Sequence, residues 1–97
     1  MVLINEPLID RAKSKHADAR DWLTNWCHEV RSSSWEDPDG VREIYPRASI
    51  LPGNRVVFRV KGNRYRLIVQ IDYRKGIVVA LFFGTHAEYD KLNARGA

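Results

Sequence analysis

A histidine and a tyrosine three residues apart, His86 and Tyr89, follow the most apolar stretch of this 97-residue sequence, Ile77 to Phe83. Thr85 and Glu88, which flank His86, have the spacing of a capping box, in which a threonine begins a helix and a glutamate three residues later bonds back to it. The spacing therefore predicts that a strand ends and a helix begins here. His86 and Tyr89 would project near one another from the helix start, where free backbone N–H groups favour an anion such as phosphate.

Proton transfer is the chemistry open to this pair. A neutral imidazole beside a phosphate can accept a proton, and a phenol can deliver one or position the phosphate. The same spacing also suits a purely structural role, in which Tyr89 docks the terminal helix and His86 lies in solvent. The spacing alone does not decide between these two interpretations.

Basic residues near the preceding hairpin favour an anion site. We expect four of them to share one exposed face of the predicted strands: Arg59, Lys61, Arg64 and Arg66. Like charges on one face of a sheet repel each other unless an anion binds among them. A solvated strand face is the alternative interpretation of the same residues.

The second half of the chain has the alternation of β-strands. Apolar residues alternate with other residues in Val56–Lys61 and in Arg64–Tyr73, and Lys61-Gly62-Asn63 supplies the turn between them, where Gly62 and Asn63 are able to take positive φ. The segment Ile77 to Phe83 is apolar on both faces, as a central strand is when other elements cover both sides. We expect an antiparallel meander of three or four strands.

The first half has the pattern of helices. A brief strand at Met1–Ile4 precedes a helix with Asn5 as its cap and Pro7 in its first turn, and Asp37 is expected to cap a short third helix. The second helix is predicted to begin at Asp18. Its apolar stripe consists of Trp22, Leu23, Trp26, Cys27 and Val30.

The helical pattern also predicts which side chains of the first half are buried and which are exposed. Val41, Ile44 and Tyr45 are expected to face inward from the third helix. His16 and His28 are expected to be exposed helix residues. These assignments complete an α+β fold in which N-terminal helices pack against the sheet.

Composition indicates one domain over residues 1–97, with 44% hydrophobic and 29% charged residues and a net charge of +4. The single cysteine cannot form an internal disulfide, and no signal peptide is recognisable at Met1, so we expect a cytoplasmic protein. No apolar run approaches the roughly 20 residues of a membrane span. No metal-ligand spacing is present, and neither a metal nor a small-molecule cofactor is expected.

Two segments carry a resemblance to a known family: GNRYRLIVQI, residues 62–71, and FGTHAEYDKL, residues 83–92. With the chain between and around them, they resemble the HigB family of bacterial type II toxins, which belongs to the RelE-like superfamily. The resemblance implies a RelE-like fold and a ribonuclease that cuts mRNA on the ribosome without a metal. It also implies a cognate antitoxin of the HigA type, usually a helix-turn-helix protein.

The resemblance also suggests roles for individual residues. It places Arg66 on the scissile phosphate and makes His86 and Tyr89 the catalytic residues of the strand-to-helix junction. Lys61 and Arg64 correspond to the family only as a basic cluster, and we expect them to bind RNA phosphates together with Arg59. Glu88 is explained by capping and Asp90 as a surface residue, although either could orient His86.

Two other classes of function stay open at this point. A non-catalytic RNA-binding module would need only the basic hairpin, and a protein-interaction domain would need only an interface. The aromatic residues Phe58, Tyr65 and Tyr73 fall on the apolar strand face, so the opposite face is suited to phosphate contact rather than to base stacking.

Overall fold

The computed structural model describes residues 1–94 and has the α+β architecture expected from the sequence. In chain order its elements are β1 (Val2–Ile4), α1 (Glu6–Lys15), a 3₁₀ turn (Ala17–Ala19), α2 (Arg20–Ser32), α3 (Pro38–Ile44), β2 (Ser49–Leu51), β3 (Arg55–Val60), β4 (Tyr65–Asp72), β5 (Ile77–Thr85) and α4 (His86–Ala94). None of the described helices is long and apolar enough to span a membrane.

The sheet has five strands in the order β1-β5-β4-β3-β2. Strands β2 to β5 form the predicted antiparallel meander, and β1 adds a parallel strand at the edge of β5, with Val2 opposite Ile77 and Ile4 opposite Val79. The sequence predicted three or four strands. The two strands at the edges have three residues each, which is too short for alternation to identify them.

The core lies between one face of this sheet and the helices. The predicted core faces of β3 and β4 are found, since Phe58 and Leu67 are fully buried in the core, although residues of the other face such as Val57 and Ile68 are also buried. The stripe of α2 meets them, and the ring of Trp26 packs edge-on against Phe58 with 5.6 Å between centroids. The predicted apolar faces of α2, β3 and β4 are therefore confirmed.

The helix starts follow the sequence signals only in part. The Asp37 carboxylate accepts a hydrogen bond from the Gly40 N–H at 3.1 Å, as expected of a cap. Asn5 stands before α1 in a left-handed conformation, φ 70°, and its side chain does not cap the helix. Its Nδ2 instead donates to the Ala80 carbonyl at 2.9 Å, which fastens the start of α1 to β5.

Two further expectations about local structure are wrong. Because the 3₁₀ turn takes up residues 17–19, α2 begins at Arg20 rather than at Asp18. Ile44 is 43% exposed, since the short helix α3 ends there and Val41 supplies its buried side chain. In the β3–β4 turn, positive φ is found at Gly62, one of the two residues named for it, and at Lys61.

Candidate active site

The junction of β5 and α4 is held by the capping box predicted from the sequence. The Thr85 N–H donates to Glu88 Oε1 at 2.9 Å, and the Glu88 N–H donates to Thr85 Oγ1 at 3.2 Å. The backbone hydrogen bond from Thr85 lowers the pKa of the Glu88 carboxyl below its ordinary value. The His86 N–H donates to the Arg64 carbonyl at 3.0 Å, so the loop before β4 also fixes the first residue of α4.

His86 lies beside a carboxylate of its own helix. Its Nδ1 is 2.9 Å from Oδ2 of Asp90, one turn later, and both side chains are about half exposed, 49% and 59%. Because Nδ1 faces this carboxylate, Nε2 is the nitrogen that is open to exchange a proton with a ligand. Of the two carboxylates that could orient His86, the structure pairs Asp90 with it and uses Glu88 as the cap.

Arg66 is buried, with 6% of its surface exposed, although an exposed strand arginine was expected. Its Nη1 donates to the carbonyls of Asn63 and Tyr65, both at 3.2 Å, and its Cζ lies 5.8 Å from the ring centroid of Tyr89. The expectation was wrong because α4 lies close to β4 and places the Tyr89 ring against the guanidinium. Within residues 1–94 Arg66 has no carboxylate partner, and its charge is met only by carbonyls and an aromatic face.

Arg59 stands directly opposite Arg66 in the β3–β4 ladder. Residues opposite each other point to the same side of a sheet, so these two cations share the face that points away from the core. Arg59 is exposed, and its nearest polar contact is Asn63 Oδ1 at 3.5 Å, the outer limit of a hydrogen bond. This juxtaposition of like charges is the arrangement predicted for Arg59 and Arg66.

Arg64 and Lys61 do not join that face. Nη1 of Arg64 forms an ion pair with Oδ2 of Asp18 at 2.6 Å, and the Tyr65 hydroxyl donates to Oδ1 of the same carboxylate, also at 2.6 Å. Lys61 lies in the turn outside both strands. The expectation of four cations on one strand face is therefore wrong, because Arg64 precedes β4 in a loop that turns toward the helices.

Asp18 is a residue that sequence reasoning missed in this role. The hydrogen bond from Tyr65, and then that from Arg64, lower the pKa of the Asp18 carboxyl, and the hydrogen bond to Asp18 raises the pKa of the Tyr65 hydroxyl. Because the Arg64 carbonyl accepts the His86 N–H, Asp18 anchors the loop that supports α4. Asp18 lies 46 residues from Arg64 in the sequence, so no local pattern indicates that the two side chains pair.

His16 also belongs to this neighbourhood rather than to the exposed surface expected for it. Its half-buried ring lies 4.7 Å from the ring of Tyr65 and 5.7 Å from that of Phe83, centroid to centroid. The reason is that α1 ends at Lys15, so His16 turns inward instead of continuing an exposed helix face. His28 is exposed on α2, as expected.

Gly84 permits the close approach of α4 to β5. It pairs with Arg66 in the sheet, and a Cβ at this position would lie 2.7 Å from Cζ of Phe82 and 3.3 Å from Cβ of Glu88. A side chain here would force the ring and the first turn of α4 to move. Glycine at position 84 is thus a condition for the contact between Arg66 and Tyr89.

Comparison with known protein families decides what kind of protein this site belongs to. The pattern of the HigB toxin family, described as the RelE-like toxic component of a toxin–antitoxin system, matches residues 19–92. The chain belongs to this family. The α+β structure agrees with a RelE-like fold, and this HigB-family protein is the toxin of a toxin–antitoxin system, which implies an antitoxin as its partner. No curated protein matches the sequence significantly.

Most of the site lies inside the range that matches the family. Arg59, Arg66, His86 and Tyr89 fall within residues 19–92, whereas His16 and Asp18 precede it. Within residues 1–94, no group of three or more His, Cys, Asp or Glu side chains is placed to hold a metal ion. The groups that this HigB-family chain offers to a ligand here are two arginines, an imidazole and a phenol.

Proposed function

We propose that this HigB-family toxin is an endoribonuclease that cleaves mRNA on the ribosome. In this reaction the ribose 2′-hydroxyl attacks the adjacent phosphate and the 5′-oxygen of the next nucleotide leaves. The observation that supports the proposal best is Arg66, a buried cation without a carboxylate partner in the described chain. Its guanidinium lies against the ring of Tyr89, and the exposed Arg59 stands opposite it in the sheet. An RNA phosphate supplies the negative charge that this arrangement lacks.

Arg66 is suited to stabilise the phosphorane-like transition state. Its Nη1 is fixed by two carbonyls, which leaves its other N–H donors for the phosphate oxygens. A guanidinium held in advance by the protein stabilises developing negative charge without reorganising during the reaction. Arg59, on the same face, would contact a phosphate next to the scissile one.

His86 and Tyr89 would handle the protons. We assign His86 as the base that takes the 2′-hydroxyl proton at Nε2, because Nδ1 faces the Asp90 carboxylate at 2.9 Å. The Asp90 carboxylate would then stabilise the imidazolium that forms. Tyr89, whose ring lies against the Arg66 guanidinium, would deliver a proton to the leaving oxygen or position the phosphate.

The remaining basic residues would contribute to RNA binding rather than to the chemical step. Lys61 is exposed at the tip of the β3–β4 hairpin and can contact mRNA or ribosomal RNA. Arg64 contributes less, because Asp18 neutralises its charge. In the cell the toxin would act on ribosomes in the cytoplasm and be neutralised by a HigA-type helix-turn-helix antitoxin.

Single-turnover cleavage of mRNA on programmed ribosomes tests the proposal. We expect wild-type toxin to cut the message and Arg66→Gln to be slower by about 10² to 10³-fold, the cost of removing one pre-organised donor of this kind. Arg47→Ala, which removes an exposed arginine from the loop before β2, is the control and should cut at the wild-type rate. A wild-type protein that binds ribosomes without cutting would instead be a non-catalytic RNA-binding module.

A further inference from the structure

The outer face of the sheet, opposite the helices, carries an apolar surface at its β1 edge. Val2 and Ile4 of β1 are 58% and 45% exposed. Ile77 and Val79 of β5 lie directly opposite them in the parallel ladder and are half-buried. Since the intervening Val78 is fully buried in the core, these four side chains point to the outer side. We call Val2, Ile4, Ile77 and Val79 the β1–β5 face.

This surface differs from ordinary exposure of single apolar residues. Of the other exposed large hydrophobic residues in the described chain, Ile44 on α3 and Leu51 on β2 are on separate elements, and Leu81 lies further along β5 without a partner in β4. The members of the β1–β5 face are neighbours along and across two strands. A contiguous aliphatic surface on an edge strand marks a site of protein contact more often than a scattered residue does.

A basic rim borders the face. A depression of about 550 Å³ beside Ile77 and Val79 is also lined by Arg74 and Lys75 of the β4–β5 turn. Asp72, at the same turn, accepts a hydrogen bond from the Lys75 backbone N–H at 3.0 Å. Neither Arg74 nor Lys75 forms an ion pair within residues 1–94, and these two cations outnumber the one exposed carboxylate beside them, Asp72, so the rim is positive on balance.

From this combination we infer that the β1–β5 face is a docking surface for the antitoxin. The matching segment of the antitoxin carries aliphatic side chains that cover Val2 and Ile4, with acidic residues beside them that meet Arg74 and Lys75. The face contains no aromatic side chain on which a base could stack, so its chemistry suits a protein rather than RNA. The inference rests on membership of a toxin–antitoxin system and not on the catalytic roles proposed above.

The face is also separate from the residues proposed to cut RNA. Five residues of β5 lead from Val79 to Gly84, which pairs with Arg66, and at about 3.3 Å per residue this is a distance of roughly 15 Å. A substitution on the β1–β5 face can therefore be tested without changing the contact between Arg66 and Tyr89.

Ile4→Asp and Ile44→Asp form a matched pair for the test, because the two isoleucines are almost equally exposed, 45% and 43%. The probe is the purified protein encoded by the reading frame adjacent to the toxin gene, and its affinity is measured by isothermal titration calorimetry. We expect Ile4→Asp to weaken binding at least about tenfold, as loss of an interface anchor does, and Ile44→Asp to leave it unchanged. Circular dichroism establishes that each variant is folded.

A second variant keeps the test decisive if Ile4→Asp does not fold. The double substitution Arg74→Glu, Lys75→Glu lies in an exposed turn and should weaken antitoxin binding by a similar factor. Wild-type affinity in the folded variants overturns the inference. So does a free toxin that changes from dimer to monomer in Ile4→Asp while antitoxin affinity is unchanged, because the face would then join two copies of this chain.

Failure of the proposed ribonuclease activity would be visible separately. Binding of the antitoxin needs no catalysis, so the calorimetric result stands even if wild-type toxin cuts no message. Conversely, slow cleavage by Ile4→Asp with unchanged antitoxin affinity would assign the face to the ribosome and overturn the inference.

Discussion

The guanidinium of Arg66 lies 5.8 Å from the ring centroid of Tyr89 and links the buried strand β4 to the terminal helix α4. This contact depends on two supports that lie outside it. One is the capping box of Thr85 and Glu88, which sets where α4 begins, and the other is Gly84, which lets α4 approach β5. Each support can be changed separately from the residues proposed to react with RNA.

Replacing the two proposed proton carriers should slow cleavage without unfolding the protein. His86→Gln and Tyr89→Phe are each expected to lower the single-turnover rate by about 10² to 10⁴-fold at saturating toxin, the usual contribution of acid–base catalysis. The double variant should lose less than the product of the two effects if both residues act on one proton path. Wild-type rates in both folded single variants would leave Tyr89 only the role of packing α4.

Removing the partner of His86 should have a smaller effect than removing His86. Asp90→Asn is expected to slow cleavage by about tenfold, because the imidazole loses the carboxylate that orients it and stabilises its charged form. Ribosome affinity, measured by co-sedimentation, should not change. Asp10→Asn, an exposed carboxylate on α1, is the control; equal rates in the two variants would show that Asp90 does not position His86.

Adding one methyl group at position 84 should displace α4. Gly84→Ala brings a Cβ into contact with Phe82 and Glu88, and overpacking of this kind costs about 1 to 3 kcal/mol. We expect a lower melting temperature and slower cleavage from the same variant. Gly40→Ala is the control, since its added Cβ would lie 3.4 Å from the nearest atom, in ordinary contact, and alanine favours the helix α3. A Gly84→Ala protein with wild-type cleavage would mean that α4 need not approach β5 so closely.

Stability should depend on the charge of Asp18 at low pH. Its pKa is lowered in the folded protein by Tyr65 and Arg64, so the native state binds fewer protons than the unfolded state near an ordinary aspartate pKa of about 4. The stabilisation is therefore complete above that pH and is lost as pH falls through the lowered pKa. Glu88, whose pKa is also lowered, acts in the same direction.

Urea unfolding of Asp18→Asn measures this effect. At pH 7 the variant should be less stable than wild type, and the difference should shrink as the pH falls below about 4, where wild type loses the same interaction. A difference that stays constant between pH 7 and pH 3 would show that the Asp18 charge contributes nothing and that only its hydrogen-bond geometry matters.

The features that the sequence predicted well are those determined by neighbouring residues. The capping box at Thr85 and the core-facing apolar residues of β4 depend on residues a few positions apart, and both are found. The pairing of Arg64 with Asp18 joins residues 46 positions apart, and no local pattern indicates it. The burial of Arg66 depends on where α4 comes to lie, so its strand position alone indicated an exposed residue.

The same distinction applies to the edges of the sheet. Strand β1 has three residues and is a strand only because it pairs with β5. The apolar, β-compatible residues Met1–Ile4 indicated a brief strand there but not its partner or its parallel direction. Tertiary contacts outweigh local preference in such short segments.

The pairing of β1 with β5 determines when this protein can complete its fold during synthesis. Val2 is synthesised 75 positions before its partner Ile77, and α4 follows β5 in the chain. Contacts so distant in sequence form late, after the cost of closing the long intervening chain has been met. A nascent chain that has not yet reached β5 therefore lacks both the five-stranded sheet and the helix that carries His86 and Tyr89, so the residues proposed to react with RNA are assembled only after the rest of the sheet has been made.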